Sequence, residues 1–161
     1  MNVTRAALPV LRAQGFGHII QISSVGDRVG VPGLGAYQGA KWAVCGFSEV
    51  LAQEMAPLGI RVTVAEPGGM RTDWAGASMA TPPVSEPYRR VVGGAVAQIR
   101  GADGLQPGDP ERISRVLMEV AEAGEPPLRL LLDTDAVAVA QEMAGQLATE
   151  EARWRPVSES V

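Results

Sequence analysis

Tyr37 and Lys41 are the pair of side chains in this sequence whose types and spacing suit proton transfer. They lie four residues apart, and one turn of an α-helix places such residues on the same face. A tyrosine hydroxyl ordinarily has a pKa of about 10, which makes it a poor acid–base group near neutrality. An ammonium group beside it favours the phenolate and lowers that pKa. The spacing therefore predicts a tyrosine–lysine proton-transfer pair, an effect typically contributing about 10²–10⁴-fold to a rate.

Ser24 is the hydroxyl expected to work with this pair. It ends a predicted strand thirteen residues before Tyr37, and the glycine-rich loop at 26–35 can fold back to bring it to the phenol. A serine hydroxyl there can hydrogen-bond a carbonyl or alcohol oxygen. Taken alone, a Tyr-x-x-x-Lys spacing is common and is more often an ordinary surface pair on a helix. The surrounding sequence has to decide between the two interpretations.

The elements that must position these residues alternate between helix and strand. Apolar spacing on the helical period and short apolar runs give the boundaries. The alternation favours parallel strands joined by crossover helices, so we predict an α/β fold. The predicted helices cover 2–13, 37–56, 110–123 and 135–152, and the predicted strands cover 18–24, 60–65 and 128–132.

Proline and glycine mark the ends of several elements. Pro9 is expected to kink or end the first helix. Asp109 followed by Pro110 predicts a helix start, and the tail after Pro156 is expected to fray. Residues 72–108 hold many prolines and glycines, with at most a weak helix over 86–100. An irregular segment of this length in a compact domain is usually functional or mobile.

Composition excludes several classes of function. The 161 residues are one domain's worth of length, and a net charge of −4 leaves no basic excess for a nucleic acid. A single cysteine, Cys45, rules out an intrachain disulfide, favours a cytoplasmic setting and is expected to be a small buried hydrophobe. With only one histidine, the common zinc cages cannot form, and no metal site is predicted. No run of about 18 apolar residues is present, so no membrane span is predicted.

Three motifs in the same order and spacing resemble the short-chain dehydrogenase/reductase family. The first is an isoleucine-rich strand that ends in Ser24, the second is Tyr37-x-x-x-Lys41, and the third is the Pro-Gly-x-x-x-Thr turn at 67–72. That family carries a serine thirteen residues before its tyrosine, the tyrosine–lysine pair and this turn. The resemblance extends to the helix start at 109–110 and the last strand, and it covers nearly the whole chain.

The resemblance implies a role for each matched residue. Tyr37 would be the general acid/base, Lys41 would assist it and bind the nicotinamide ribose, and Ser24 would orient the substrate oxygen. The implied activity is NAD(P)-dependent interconversion of an alcohol and a carbonyl in a small-molecule substrate, with NAD or NADP as cofactor. The residues that would line the nicotinamide end of the cofactor are Pro67, Gly68, Met70 and Thr72.

The resemblance also implies an architecture. The fold would be part of a doubly wound, Rossmann-like parallel sheet, with residues 1–161 encoding its last three strands and their flanking helices. The segment 72–108 would form a substrate lid, and Trp74, just after the turn, is a candidate wall of the substrate pocket. The helix at 37–56 forms a dimer surface in many relatives, so a homo-oligomer is expected by analogy.

Two family features are absent from residues 1–161, namely the Thr-Gly-x-x-x-Gly-x-Gly phosphate loop and the Asn-Asn-Ala-Gly stretch. The chain thus resembles the C-terminal portion of the family domain without its phosphate-binding half. We expect an unpaired edge on the strand at 18–24 and weak or no binding of the cofactor by this chain alone. The alternative function is that of a truncated, non-catalytic fragment or interaction module. Asp133 stands where relatives often carry glycine.

Overall fold

The computed structural model describes residues 1–161, and its elements follow the predicted alternation of helix and strand. Short 3₁₀ turns lie at Val25–Asp27, Ala56–Leu58 and Glu86–Tyr88, and a π-helical turn lies at Arg89–Gly93. The strands are β1 (Gly17–Ile22), β2 (Ile60–Pro67) and β3 (Arg129–Leu132). The helices are α1 (Asn2–Gln14), α2 (Gly35–Met55), α3 (Gly94–Gly101), α4 (Pro110–Glu122) and α5 (Thr134–Ser158).

The three strands form one parallel sheet in the order β1-β2-β3. Gly17 is paired with Ile60 at one end of the β1–β2 ladder, and Pro67 is paired with Leu132 at the other end of the β2–β3 ladder. The central strand β2 is buried at every position except Arg61, as expected for a strand covered on both faces. Parallel strands with helical connections confirm the α/β, Rossmann-like fold.

The hydrophobic core forms where α2 packs on β2. Leu51 and Met55 of the helix meet Ile60 and Val62 of the strand, and all four side chains are buried. Full burial of one such aliphatic side chain contributes about 1.5–3 kcal/mol, so this contact fixes the orientation of α2 relative to the sheet. Partly buried side chains that surround the cluster are Leu8, Leu11, Ile19, Phe47 and Ala52.

Both internal prolines are accommodated within helices. α1 continues through Pro9 to Gln14, so this proline does not end the helix. A proline removes one backbone donor, and the packing of Leu8 and Leu11 against the core holds the helix on either side of it. α5 continues through Pro156 to Ser158, so this proline does not end the helix, and the fraying expected of the tail stays a prediction.

Two aspartates begin the last two long helices. Asp109 caps α4, accepting from the backbone N–H of Glu111 at 2.9 Å, with Pro110 in the first turn, as predicted. Asp133 caps α5, accepting from Ala136 N–H at 3.1 Å. Its φ of 83° with ψ of 173° lies in a region that glycine adopts far more readily than other residues. This backbone conformation gives the physical reason for expecting glycine at position 133.

The outer face of α2 carries large apolar side chains. Trp42 and Val50 are each more than half exposed. This surface is compatible with the homo-oligomer expected through the helix at 37–56, which stays a prediction. No helix combines the length and the apolar character needed to cross a bilayer.

Candidate active site

Tyr37 and Lys41 lie on consecutive turns of α2 and line the same cavity. The Lys41 Nζ lies 5.7 Å from the centroid of the Tyr37 ring and donates a hydrogen bond to the carbonyl oxygen of Ile22 at 3.0 Å. Burial lowers the pKa of Lys41, and the nearby carboxylate of Asp27 acts in the opposite direction. The lysine therefore places positive charge beside the tyrosine while anchored to the end of β1.

Ser24 reaches the cavity from the turn that follows β1. Its hydroxyl accepts from Gly26 N–H at 3.1 Å and donates to the Pro67 carbonyl at 3.4 Å. A Cβ added at Gly26 would lie 3.4 Å from the Ser24 Oγ and 3.4 Å from the Tyr37 Cε1, so both groups border the same small space. The neighbouring Ser23 is buried and donates to Asp27 at 2.6 Å, which leaves Ser24 as the hydroxyl available to a ligand.

Side chains of α2 hold the loop at 26–35 in its folded-back position. The indole Nε1 of Trp42 donates to the Gly26 carbonyl at 3.1 Å. The amide oxygen of Gln38 accepts from Val31 N–H at 2.8 Å. The helix that carries Tyr37 therefore also fixes the loop that connects it to Ser24.

The turn after β2 forms another wall of the cavity. Pro67 ends the strand, and Gly68, Met70 and Thr72 follow it along the cavity lining. Met70 forms a parallel bridge with Gly108, whose N–H donates to the carbonyl of Gly69 at 2.9 Å. The structure thus brings together all seven residues predicted to form the site.

Residues from the 72–108 segment complete the cavity, which has a volume of about 510 Å³. The Trp74 ring lies 5.8 Å from the Tyr37 ring at an interplanar angle of 44°, and Trp74, the candidate wall of the substrate pocket, lines this cavity. Ala75, Ile99 and Ala102 contribute further apolar surface, and Gln106 contributes an amide. These placements support the assignment of this segment as a lid, which stays a prediction.

A buried ion network lies next to the site. Arg129, the first residue of β3, pairs with Asp27 at 2.9 Å, with Glu49 at 3.1 Å and with Glu66. Arg28 also donates to Glu66, at 3.2 Å through one amino group. The side chains of Asp27 and Glu66 are completely buried. The network therefore ties the turn after β1 to β2, β3 and α2.

The pKa values in this network follow from burial and pairing. Burial raises the pKa of Asp27 in spite of its hydrogen bond from Ser23. Burial alone would also raise the pKa of Glu66, but hydrogen bonds from Arg28 and Arg129 outweigh it and hold the pKa below its usual value. Oxygen and sulfur atoms of Asp27, Glu66 and Cys45 lie within 4.8 Å of one another. Guanidinium groups already occupy both carboxylates, and burial raises the pKa of Cys45 to about 12, which disfavours the thiolate that binds metals.

A carboxyl pair, Asp133 and Asp135, supports the turn after β2 from the start of α5. Asp135 Oδ2 accepts from Gly69 N–H at 2.9 Å. A Cβ at Gly68 would lie 2.0 Å from Asp135 Oδ1, so the approach requires glycine. The Oδ2 of Asp133 and the Oδ1 of Asp135 are buried without another donor. Burial and the neighbouring Asp135 carboxyl raise the pKa of Asp133 to about 6.

The sequence analysis predicted neither the ion network around Arg129 nor the carboxyl pair of Asp133 and Asp135. One signal for the ion network was available, because Glu66 is a charge that follows the apolar residues Val64 and Ala65, and Asp27 and Arg28 interrupt the glycine-rich loop. Such a residue needs a buried partner, but the partner Arg129 lies 63 positions away from Glu66. The prediction for Cys45 is confirmed, since its side chain is buried.

The sequence and the fold of this chain are similar to those of known oxidoreductases. The family model described as short chain dehydrogenase matches residues 1–82. The chain is 52% identical over 156 residues to "Oxidoreductase BOA17" of Botryotinia fuckeliana, covering 97% of this chain and 57% of that protein. The crystal structure of a short-chain dehydrogenase from Streptomyces avermitilis superposes with a TM-score of 0.85 at 35% identity, covering 97% of this chain and 56% of that one.

A more distant structure shows the same fold with a bound cofactor. A short chain dehydrogenase from Burkholderia cenocepacia, solved in complex with NADP, superposes with a TM-score of 0.59 at 22% identity, covering 94% of this chain and 52% of that chain. The chain thus spans about half the length of the proteins that it matches. Since the family model matches half of the residues and contains the serine, tyrosine and lysine motifs, the chain belongs to the short chain dehydrogenase family.

Proposed function

We propose that the protein is an NAD(P)-dependent oxidoreductase that interconverts an alcohol and a carbonyl, with Tyr37 as the general acid/base. The observation that carries this proposal is the convergence of Ser24, Tyr37 and Lys41 on one cavity, which the turn at 67–72 also lines. A hydroxyl that orients, a phenol that transfers a proton and a cation beside it are the groups that this reaction requires.

The three side chains divide the work. The Ser24 hydroxyl accepts from Gly26 N–H at 3.1 Å and donates only a long 3.4 Å hydrogen bond to Pro67, so its proton can turn toward the substrate oxygen. Tyr37 gives its proton to that oxygen during reduction and takes it back during oxidation. Lys41 stabilises negative charge on the phenol oxygen, because its ammonium group is fixed next to the ring.

The cavity fits the nicotinamide end of a cofactor, the group that supplies or accepts the hydride when bound. The lining residues Pro67, Gly68, Met70 and Thr72 would hold the ring, and Tyr37 and Lys41 would contact the adjoining ribose. One polar atom in this wall is buried without a partner, the Oε1 of Gln106. A carboxamide carries N–H donors of the kind that this oxygen lacks. The NADP bound by the relative from Burkholderia cenocepacia is consistent with this use of the fold.

Substitution of Tyr37 by phenylalanine tests the proposal. We expect Tyr37→Phe to reduce turnover by at least about 100-fold, measured as oxidation of NADH or NADPH with a panel of aldehydes and ketones. Trp154→Phe, at a half-exposed position on α5, is the control that keeps activity. Measurable turnover that is equal in wild type and Tyr37→Phe would refute the assigned role.

Calorimetric titration with NAD and NADP separates this function from the alternative. Residues 1–161 contain no glycine-rich loop for the pyrophosphate, so we expect weak binding by this chain alone. A folded chain that neither binds nor turns over either cofactor would favour a non-catalytic interaction module.

A further inference from the structure

A second cavity adjoins the candidate active site and has a volume of about 320 Å³. Its walls come from the loop before α2 and from the 72–108 segment. We call it the tail cavity and define it by Gly33, Tyr88, Val92 and Val96, together with Leu34 and Ile99. Leu34 and Ile99 also line the active-site cavity. The boundary between the two cavities therefore consists of these two apolar side chains.

The tail cavity starts one helical turn from the reacting phenol. Leu34 immediately precedes the first residue of α2, and Tyr37 lies in the first turn of the same helix. Gly33 has a φ of 86°, and a Cβ there would lie 3.0 Å from the Val92 Cγ1. The loop and the lid segment therefore touch at Gly33, which encloses one side of the tail cavity. A molecule with its oxygen at Tyr37 can extend past Leu34 into this space.

The lining of both cavities selects against charge. The residues around the tail cavity include no acidic or basic side chain. Lys41 is the single charged residue that lines the active-site cavity, and its Nζ is already hydrogen-bonded to Ile22. Arg100 lies behind this lining, but its guanidinium already donates to Thr81 Oγ1 at 3.0 Å and to the Met79 carbonyl at 3.4 Å. A substrate carboxylate would have to displace these bonds, and an ammonium group would lose its hydration without a counter-charge in the lining, which is unfavourable. An uncharged apolar chain would instead be transferred from water to an apolar wall.

We propose, on the basis of the function proposed above, that the substrates are uncharged alcohols or ketones with an extended apolar chain. The reacting oxygen lies at Ser24 and Tyr37, and the chain passes between Leu34 and Ile99 into the tail cavity. The carbonyl and the phenol meet in the first cavity, and the second cavity supplies the binding energy that distinguishes a long substrate from a short one.

The test measures binding of unreactive complexes, so it does not depend on turnover. Butanone, a ten-carbon methyl ketone and its analogue with a terminal carboxylate are titrated into the protein while amide NMR resonances are followed. Each methylene that enters an apolar cavity strengthens binding about fourfold. We expect the ten-carbon ketone to bind at least about tenfold more tightly than butanone and than the carboxylate. Resonances of Gly33 and Val92 should shift together with that of Ser24.

A matched pair of variants tests whether the apolar chain of the ketone occupies the tail cavity. Val96→Phe fills the tail cavity, and Val91→Phe places the same ring on an exposed neighbour that lines neither cavity. We expect Val96→Phe to abolish the preference for the longer ketone and Val91→Phe to retain it, with thermal unfolding measured for both. Equal affinity for the two ketones in wild type, or an unchanged preference in folded Val96→Phe, would overturn the proposal.

The proposal about the tail cavity and the proposed oxidoreductase function can fail independently of each other. Chain-length preference without cofactor-dependent turnover would support the tail cavity and contradict the proposed reaction. Turnover that is confined to short or charged substrates would support the reaction and contradict the tail cavity.

Discussion

Asp133 makes a testable contribution to the pH dependence of stability. Its carboxyl is partly buried next to Asp135 and has a folded-state pKa of about 6, compared with an ordinary value of 3.8. Asp133→Asn removes the ionisation but keeps an oxygen that can cap α5 at Ala136. Asparagine also tolerates a positive φ better than most residues. The substitution therefore isolates the charge from the cap and from the backbone.

The sign and size of the effect follow from proton linkage. Between pH 3.8 and about 6, the folded state holds the Asp133 proton and the unfolded state does not. Folding stability therefore falls as pH rises through this window, and the loss is complete above about pH 6. The upper limit of the loss is about 3 kcal/mol. Because Asp133 is only partly buried, screening by solvent reduces the expected value to about 1–2 kcal/mol.

Urea denaturation between about pH 4 and pH 7 measures this loss. We expect the free energy of unfolding of Asp133→Asn to exceed that of wild type by about 1–2 kcal/mol at pH 7, with the difference shrinking toward pH 4. Asp109→Asn is the matched control, because its pKa is lowered by hydrogen bonds from the backbone of α4 and its contribution is lost as pH falls. A difference between wild type and Asp133→Asn that is constant over this range would refute the reasoning.

Two further predictions concern packing and buried charge. Gly68→Ala places a Cβ against Asp135 Oδ1 and is expected to lower the free energy of unfolding by about 1–3 kcal/mol. The control Gly46→Ala, in an open helical position, is expected to raise the free energy of unfolding by about 0.5–1 kcal/mol. Equal urea midpoints for the two variants would contradict this prediction. Arg129→Met leaves two carboxylates buried without their shared cation and is expected to lower the free energy of unfolding by about 3–5 kcal/mol. The control Arg153→Met, at an exposed position, is expected to change the free energy of unfolding by less than about 1 kcal/mol. Similar effects of the two substitutions would show that the network contributes little to stability.

Local sequence signals were sufficient for the parts of the fold that depend on neighbouring residues. The aspartate–proline start of α4 is a local signal, since the Asp109 side chain caps the next residues. The strand that ends near Ser24 and the spacing to Tyr37 place both groups in one cavity because parallel strands present their carboxyl ends at one edge. The helix through Pro9 was harder to predict, because packing of side chains distant in sequence offsets the missing hydrogen bond.

The remaining features depend on partners that are far apart in the chain. Arg129 joins Asp27 across 102 positions, and Asp135 joins Gly69 across 66 positions. No periodicity marks such pairs, because nothing in the local sequence indicates which distant residue each charged side chain meets. The tail cavity has the same origin, since its two walls come from the loop before α2 and from the irregular segment after β2.

The buried charges explain how three separate turns hold one site. Ser24 follows β1, Gly68 follows β2 and Asp133 follows β3, so each turn projects from the carboxyl edge of the same sheet. Turns are mobile when only backbone contacts hold them. Here the turn after β1 is tied to β2 and β3 through Arg129, and the turn after β2 is tied to α5 through Asp135. Burying these charges is unfavourable unless every partner stays in place. The positions of the three turns therefore depend on one another. For the same reason, the position of the Ser24 hydroxyl depends on that of the turn at 67–72.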